Sequence, residues 1–450
     1  MPPMSVFRFG GVSVLALGLA WDAGCSQFQG GDDDDGFSAE EWVRIRELTP
    51  LAGDMPANPF NARANDPTLA RLGQMLFFET GFSGPIKVDG PSGKVGEVGK
   101  VGCVTCHDPR RFFVDTRTGE GLSHGVAFTT RSAPSLVNLG WYQWITWSGK
   151  HDSLCMQGAN APEAPTDVAS TRLRYAHVLW DKYRDEYDAA FPAAPLDPAL
   201  DSMHPEALRF PPAGKPKAAM TDPDGAWELM AAPDRRLVNQ IMANVGKATE
   251  AYERQLISRG SPFEQYVEGD HLALEPAAKR GLKLFIGKAS CIECHDGPVM
   301  SDNKFHNVGL PQKAPAGMQD TGRFGDIPRV VANPFNGAGE FSDDREAGMR
   351  KLANLTPPDP ITTGQFRTPS LHHIAATAPY MHDGSLKTLE DVVRLYNAGG
   401  GETGTFPGTR DIKLGRLGLT EAEIVDLVAF LKSLTGRPVP EEWARDTSKH

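Results

Sequence analysis

"CVTCH" at residues 103–107 and "CIECH" at residues 291–295 are the stretches on which the reading of this 450-residue chain turns. Each is a Cys-x-x-Cys pair closed at once by a histidine. A Cys-x-x-Cys pair alone serves as a zinc half-site or a redox dithiol, but a histidine directly after it marks covalently attached c-type haem. The thiols of Cys103 and Cys106, and of Cys291 and Cys294, would add to porphyrin vinyl groups. His107 and His295 would then swing under the ring to ligate iron. Four thiolates and two histidines could instead make zinc sites, and this is the competing reading.

Working outward, each motif follows a helix-like run. "RLGQMLFFE" (71–79) precedes the first and "KRGLKLFIG" (279–287) the second, both with apolar residues at helical spacing. The glycine-rich "GFSGPIKVDGPSGKVGEVGKVG" between the first run and its motif predicts an exposed loop. In the middle of the chain Leu173, Ala176, Leu179 and Tyr183 fall on one helical face, and Leu237, Ile241, Val245 and Ala248 on another. The Pro-rich stretch from Phe191 to Asp224 reads as a connection between them. "TEAEIVDLVAFLKSL" predicts a last helix opened by a Thr420/Glu423 capping box and stopped before Gly436 and Pro438.

No continuous strand pattern occurs, so the expected fold is mainly α with little β: two cytochrome c-like haem domains with helical connections. The expected division is a signal peptide over 1–24, an acidic tether over 25–40, a first haem domain over 41–190, a Pro-rich connection over 191–235 and a second haem domain over 236–450.

A net charge of −11 offers no basic surface, which argues against a nucleic-acid partner. "MPPMSVFRFGGVSVLALGLAWDAGCSQ" carries an apolar run from Gly10 to Ala20, too short to cross a bilayer, and reads as a signal peptide. Ala23, Gly24 and Cys25 resemble the end of a lipoprotein cleavage box, although Asp22 stands where an aliphatic residue is usual. The expectation is a periplasmic protein touching the membrane only through lipid on Cys25, with ordinary secretion as the alternative. "GGDDDDG" after it is too charged to bury and reads as a solvated tether. Cys155 is left without a mate and reads as a buried small residue, so no structural disulfide is implied.

A wider resemblance now carries weight. "LGQMLFFETGFSG", "CVTCH" and "RSAPSLVNLGWYQWITWSGKHDSL" in the first half resemble the bacterial di-haem cytochrome c peroxidase and MauG superfamily. So do "CIECHDGPVMSDNKFHNVG" and "FRTPSLHHIAATAPYMHDGSLKTLEDVVRLYNAGG" in the second, and the match spans most of residues 65–435. The resemblance implies an enzyme with two covalent haem c groups. The N-terminal haem domain would react with hydrogen peroxide and the C-terminal one would store and relay electrons.

It also implies roles position by position. Trp147, in "TWSGK", falls where the family keeps a tryptophan between the haems; a core aromatic is the alternative. The second ligand of the C-terminal haem is a methionine in the peroxidase branch and a tyrosine in the MauG branch. Counting from Leu389, that place holds Tyr396, with Met381 in "PYMHDG" as the competing ligand and no second protein ligand as the remaining alternative. A phenolate is an anionic donor that lowers the potential of ferric iron, and methionine does the reverse. His124, in "SHGVAF", falls where classical peroxidases block the first iron at rest, with a solvated loop histidine as the alternative; MauG has no such ligand.

The proton-moving groups would be Gln157 and Asp167, with Glu163 as a rival to Asp167. An interdomain calcium ion would fall to Ser132, Thr377 and Pro379, with Ser132 where the family has asparagine. His306 and His382 are expected to pack beside the second haem.

Three functions follow. The first is a MauG- or MbnH-like enzyme that oxidises a partner protein, favoured by Tyr396. The second is a peroxidase that detoxifies peroxide with a small redox-protein donor, favoured by His124. The third is an electron-transfer di-haem lipoprotein without a catalytic site.

Overall fold

One packing solution is used twice in this chain. The computed structural model describes residues 36–48, 55–119, 121–312 and 319–449. The signal-peptide reading, Cys25 and most of the acidic tether lie outside the described residues.

Among the described residues the helices that position the two motifs are α1 Ala39–Glu47, α2 Pro67–Phe78, α3 Leu154–Asn160, α4 Arg172–Ala190, α5 Ala232–Glu253, α6 Pro276–Ile286, α7 Arg323–Ala332, α8 Leu389–Asn397 and α9 Glu421–Lys432, with a further helix, Arg345–Ala353, and shorter helical turns between them. Among the described residues the one ladder of strands is β1 Phe305–His306 against β2 Phe366–Arg367, antiparallel, pairing Phe305 with Arg367. The fold is mainly α, as expected.

The repeated sequence before each haem motif is a repeated helix crossing. Gly73 on α2 and Gly281 on α6 each lie four residues before a buried phenylalanine, Phe77 and Phe285. A Cβ on Gly73 would lie 1.9 Å from the Ala248 carbonyl oxygen of α5. One on Gly281 would lie 2.0 Å from the Asp426 carbonyl oxygen of α9. Only glycine allows backbones to meet this closely, and the following phenylalanine fills the space beside the crossing.

The helix starts are equally explicit in the sequence. Asp66 accepts hydrogen bonds from the Thr68 and Leu69 amides ahead of Pro67 at the first turn of α2. Thr420 and Glu423 cap α9 reciprocally, as their spacing predicts.

Two cores result. Helices α2, α3, α4 and α5 enclose the first; α1, α6, α8 and α9 enclose the second. The expected boundary at 236 therefore cuts through α5, which packs on α2 and α3 and belongs with the first half. The expected connection over 191–235 also contributes to that core, through Leu196, Leu200, Phe210 and Trp227. Helix α1, expected with the first half, buries Trp42 and Ile45 in the second. Tertiary burial of apolar faces, which no local pattern reports, decides these memberships.

On α4 the four predicted face residues are all buried. On α5 the face is turned by about one residue: Val238, Ile241, Val245 and Ala248 are buried and Leu237 is 40% exposed. No helix of the described residues is long and apolar enough to cross a membrane.

Candidate active site

The two Cys-x-x-Cys-His motifs share one local device. Cys103–Cys106 forms a single helical turn and Cys291–Glu293 a tighter one. After the first, Phe113 has φ +60° and turns its carbonyl back to accept a 2.9 Å hydrogen bond from His107 Nδ1. After the second, Met300 has φ +50° and accepts one from His295 Nδ1, also at 2.9 Å. Both bonds fix the tautomer that leaves Nε2 as a free lone pair, which is how a proximal haem ligand is prepared. Burial lowers the pKa of both rings, so each is a neutral donor at pH 7.

The zinc reading fails on geometry. Among the described residues the one group of three metal-binding side chains is Cys294, Asp302 and His306, and neither motif gathers its own two thiols and histidine. His306 has no lone pair to offer there, because Nδ1 meets Asp411 at 2.6 Å and Nε2 meets Asp302 at 2.9 Å. Burial opposes its charge, but hydrogen bonds to Asp302, Cys294 and Asp411 prevail and push its pKa up to about 10. The four motif cysteines are free of disulfides.

A cavity of about 290 Å³ opens beside the second motif, lined by Cys291, Cys294, His295 and, from α8, Tyr396. The Tyr396 phenol makes no hydrogen bond to the described residues, and burial, then the neighbouring Cys294 and Cys291, raises its pKa. A polar group left unbonded in the wall that also carries His295 fits a haem whose iron takes both. Met381 lines the same cavity, its side chain packed on the second core. His382 lies flat on Phe366, ring centroids 3.7 Å apart, and burial lowers its pKa to about 4.

Trp147 lines this cavity too, as do Val114 and Pro134 from the first motif's surroundings. Its indole N–H donates to the Ser132 carbonyl at 2.8 Å, and its own carbonyl accepts from the Arg367 amide of β2 at 2.6 Å. Trp147 thus lies where the two halves meet.

The first motif is enclosed by the Phe77, Phe78, Phe113 and Tyr252 cluster, against which Cys103 packs. Asp167 is among the charges that raise the Cys103 and Cys106 thiols, after burial, and it also acts on His107. It receives a 2.9 Å hydrogen bond from Thr166 Oγ1, and its side chain has no other hydrogen bond or ion pair among the described residues. Glu163 differs, being gripped by Arg172 at 2.7 and 3.0 Å and by the Arg172 amide at 2.9 Å. Gln157, on α3, is half-buried with no side-chain hydrogen bond among the described residues.

His124 is fully buried rather than solvated. Its Nε2 donates to the Val88 carbonyl at 2.9 Å and its Nδ1 has no partner. Cys155 is a buried thiol beside Ser153 and Asn58; burial, then Glu250, raises its pKa, so it is an inert packing residue.

The calcium positions fit poorly. Ser132, Thr377 and Pro379 line the common cavity, but none offers a carboxylate. The Ser132 amide donates to the His382 carbonyl at 2.8 Å, and its hydroxyl faces the Met381 and His382 carbonyls at 3.2 and 3.3 Å. A set of neutral oxygens binds calcium weakly, and the Ser132 hydroxyl is already turned to two backbone carbonyls.

Two features escaped the sequence reading. "APS" (133–135) and "TPS" (368–370) are a second internal repeat, and the backbones of Pro134 and Pro369 lie close enough to His107 and His295 to oppose, slightly, the burial that lowers both pKa values. Glu253 is buried with one oxygen unbonded; burial, then Glu250, pushes its pKa up to about 8. The repeat was legible; nothing in a helical stretch marks Glu253.

Residues 67–272 match the family model of the di-haem cytochrome c peroxidases. A relative named cytochrome-c peroxidase IdrP1, from Denitromonas iodatirespirans, is 32% identical over 397 residues, covering 86% of each chain. The chain belongs to the di-haem cytochrome c peroxidase family. The MauG protein of Methylorubrum extorquens is 28% identical over 85% of this chain and 81% of its own. A solved MauG-like protein associated with microbial copper homeostasis superposes with a TM-score of 0.58 at 25% identity, covering 88% of this chain and 97% of that one. This family member is accordingly an oxidoreductase acting on peroxide, with two covalently bound haem c groups.

Proposed function

We propose that this chain is a periplasmic di-haem peroxidase of the MauG-like kind, which passes oxidising equivalents from peroxide to a partner protein. The observation that carries this reading is Tyr396, an unbonded phenol lining the cavity that holds His295. When bound, haem supplies an iron that accepts peroxide at the first site and a second iron that holds charge. His107 and His295 would be the proximal ligands, each oriented by a backbone carbonyl. Tyr396 would complete the second site as an anionic donor, lowering its potential. Asp167 and Gln157 would move the peroxide proton from the inner to the outer oxygen. Trp147 would lie on the route between the sites.

The test is to add one equivalent of hydrogen peroxide to the di-ferric protein with no donor present. Joint loss of both ferric electron paramagnetic resonance signals with a new near-infrared band supports the proposal. Reaction only after one haem is reduced refutes it and favours a second reading, a peroxidase fed by a small redox protein, for which buried His124 is the supporting residue. No reaction in either state would leave electron transfer alone.

A further inference from the structure

The segment that opens the first half's "RSAPS" stretch does more than accept the Trp147 hydrogen bond. Ser132 holds the indole through its carbonyl at 2.8 Å, and Arg131 Nη1 donates to the hydroxyl of the next residue, Ser148, at 2.6 Å. Two consecutive residues therefore grip two consecutive residues.

Arg131 is anchored in turn to the second half. Its Nε and Nη2 meet the two Asp320 oxygens at 2.7 and 2.8 Å. Its Nη1 reaches Asp326 Oδ2 of α7 at 3.1 Å, and Ser148 Oγ donates to that same oxygen at 2.5 Å. Arg329 holds the other Asp326 oxygen at 3.1 Å. The guanidinium lies 5.3 Å from the centre of the Phe366 ring, on β2, where the Arg367 amide bonds the Trp147 carbonyl. The Arg131 side chain is 19% exposed and the Asp326 side chain 5%.

A fork-shaped cation that pairs one edge with a carboxylate and spans a hydroxyl and a second carboxylate with its remaining arm sets geometry as well as charge. A lysine could replace its charge but not its reach to three groups.

We propose that Arg131 is a positioning residue for electron transfer between the two haem sites: it locks Ser148, and with it Trp147, to Asp320 and Asp326 of the second half. The inference rests on Trp147 being the relay. The step is the movement of one electron from the second site to the first, which loses one oxidising equivalent as the second gains it; no bond forms and no proton moves. Peroxide supplies the oxidising equivalents.

The test uses the full-length holoprotein. The rate at which the second haem's ferric signal changes after rapid mixing with peroxide is followed by freeze-quench resonance in the wild type, Arg131→Gln, Arg131→Lys, Trp147→Phe and the Arg131→Gln/Trp147→Phe double variant. Arg131→Gln should slow that rate roughly tenfold, with Arg131→Lys between it and the wild type, and the double variant should be no slower than Trp147→Phe alone, because coupled residues do not add. Should Arg131→Gln fail to fold, Ser148→Ala removes the same link without changing charge and should also slow transfer.

A wild-type rate in Arg131→Gln or Ser148→Ala beside a slow Trp147→Phe overturns the clasp and leaves the relay standing. Additive losses in the double variant overturn it as well. A wild-type rate in Trp147→Phe removes the relay itself, and the clasp with it.

Discussion

Arg172 holds the Glu163 carboxylate by two side-chain hydrogen bonds of 2.7 and 3.0 Å. An acid committed to a guanidinium in this way is a poor shuttle for a peroxide proton, whereas among the described residues Asp167 is held by Thr166 alone. Asp167→Asn should slow the reaction with peroxide about a hundredfold or more, measured by stopped-flow absorbance, while leaving the ferric spectrum unchanged. Glu163→Gln should lower the melting temperature and spare the rate. Equal rates in Asp167→Asn and the wild type would remove Asp167 from the mechanism.

The helix crossings set a stability prediction. A methyl group on Gly281 would enter the Asp426 carbonyl at 2.0 Å and meet Phe430 Cβ at 2.8 Å, both on the facing helix α9. Gly281→Ala should cost about 1–3 kcal/mol in urea unfolding, the range for overpacking a rigid site. Gly415→Ala, with nothing within 4 Å of its new Cβ, serves as the control and should be nearly neutral.

The Asp302–His306–Asp411 cluster predicts a pH dependence. The folded pKa of His306, about 10, lies above its unfolded value near 6.5. Its stabilisation is therefore fully present below pH 6.5 and is lost as pH rises towards 10. His306→Gln should melt below the wild type at pH 6, and the gap should close by pH 10.5. A gap independent of pH would mean that His306 contributes by packing alone.

How much of this was legible in the sequence differs residue by residue. The motifs and the helices before them were readable because covalent attachment and close crossing demand fixed residue types at fixed spacing. Capping by Thr420 and Glu423 was readable for the same reason. The membership of α5 was not, because an amphipathic face says that it will be buried and not against what. His124 reads as a loop residue, and its burial against Gly90 and Phe128 depends on how a glycine-rich loop folds back. The Arg131 network joins residues almost 200 positions apart, and a single sequence carries no trace of that pairing.

The central claim is that Tyr396 completes the second haem site. It is tested by comparing resonance and visible spectra of the ferric wild type with those of Tyr396→Phe and Met381→Leu. Tyr396→Phe should alter the second haem's ferric signal and raise its midpoint potential, while Met381→Leu should leave both as they were. A signal changed by Met381→Leu and untouched by Tyr396→Phe would contradict it.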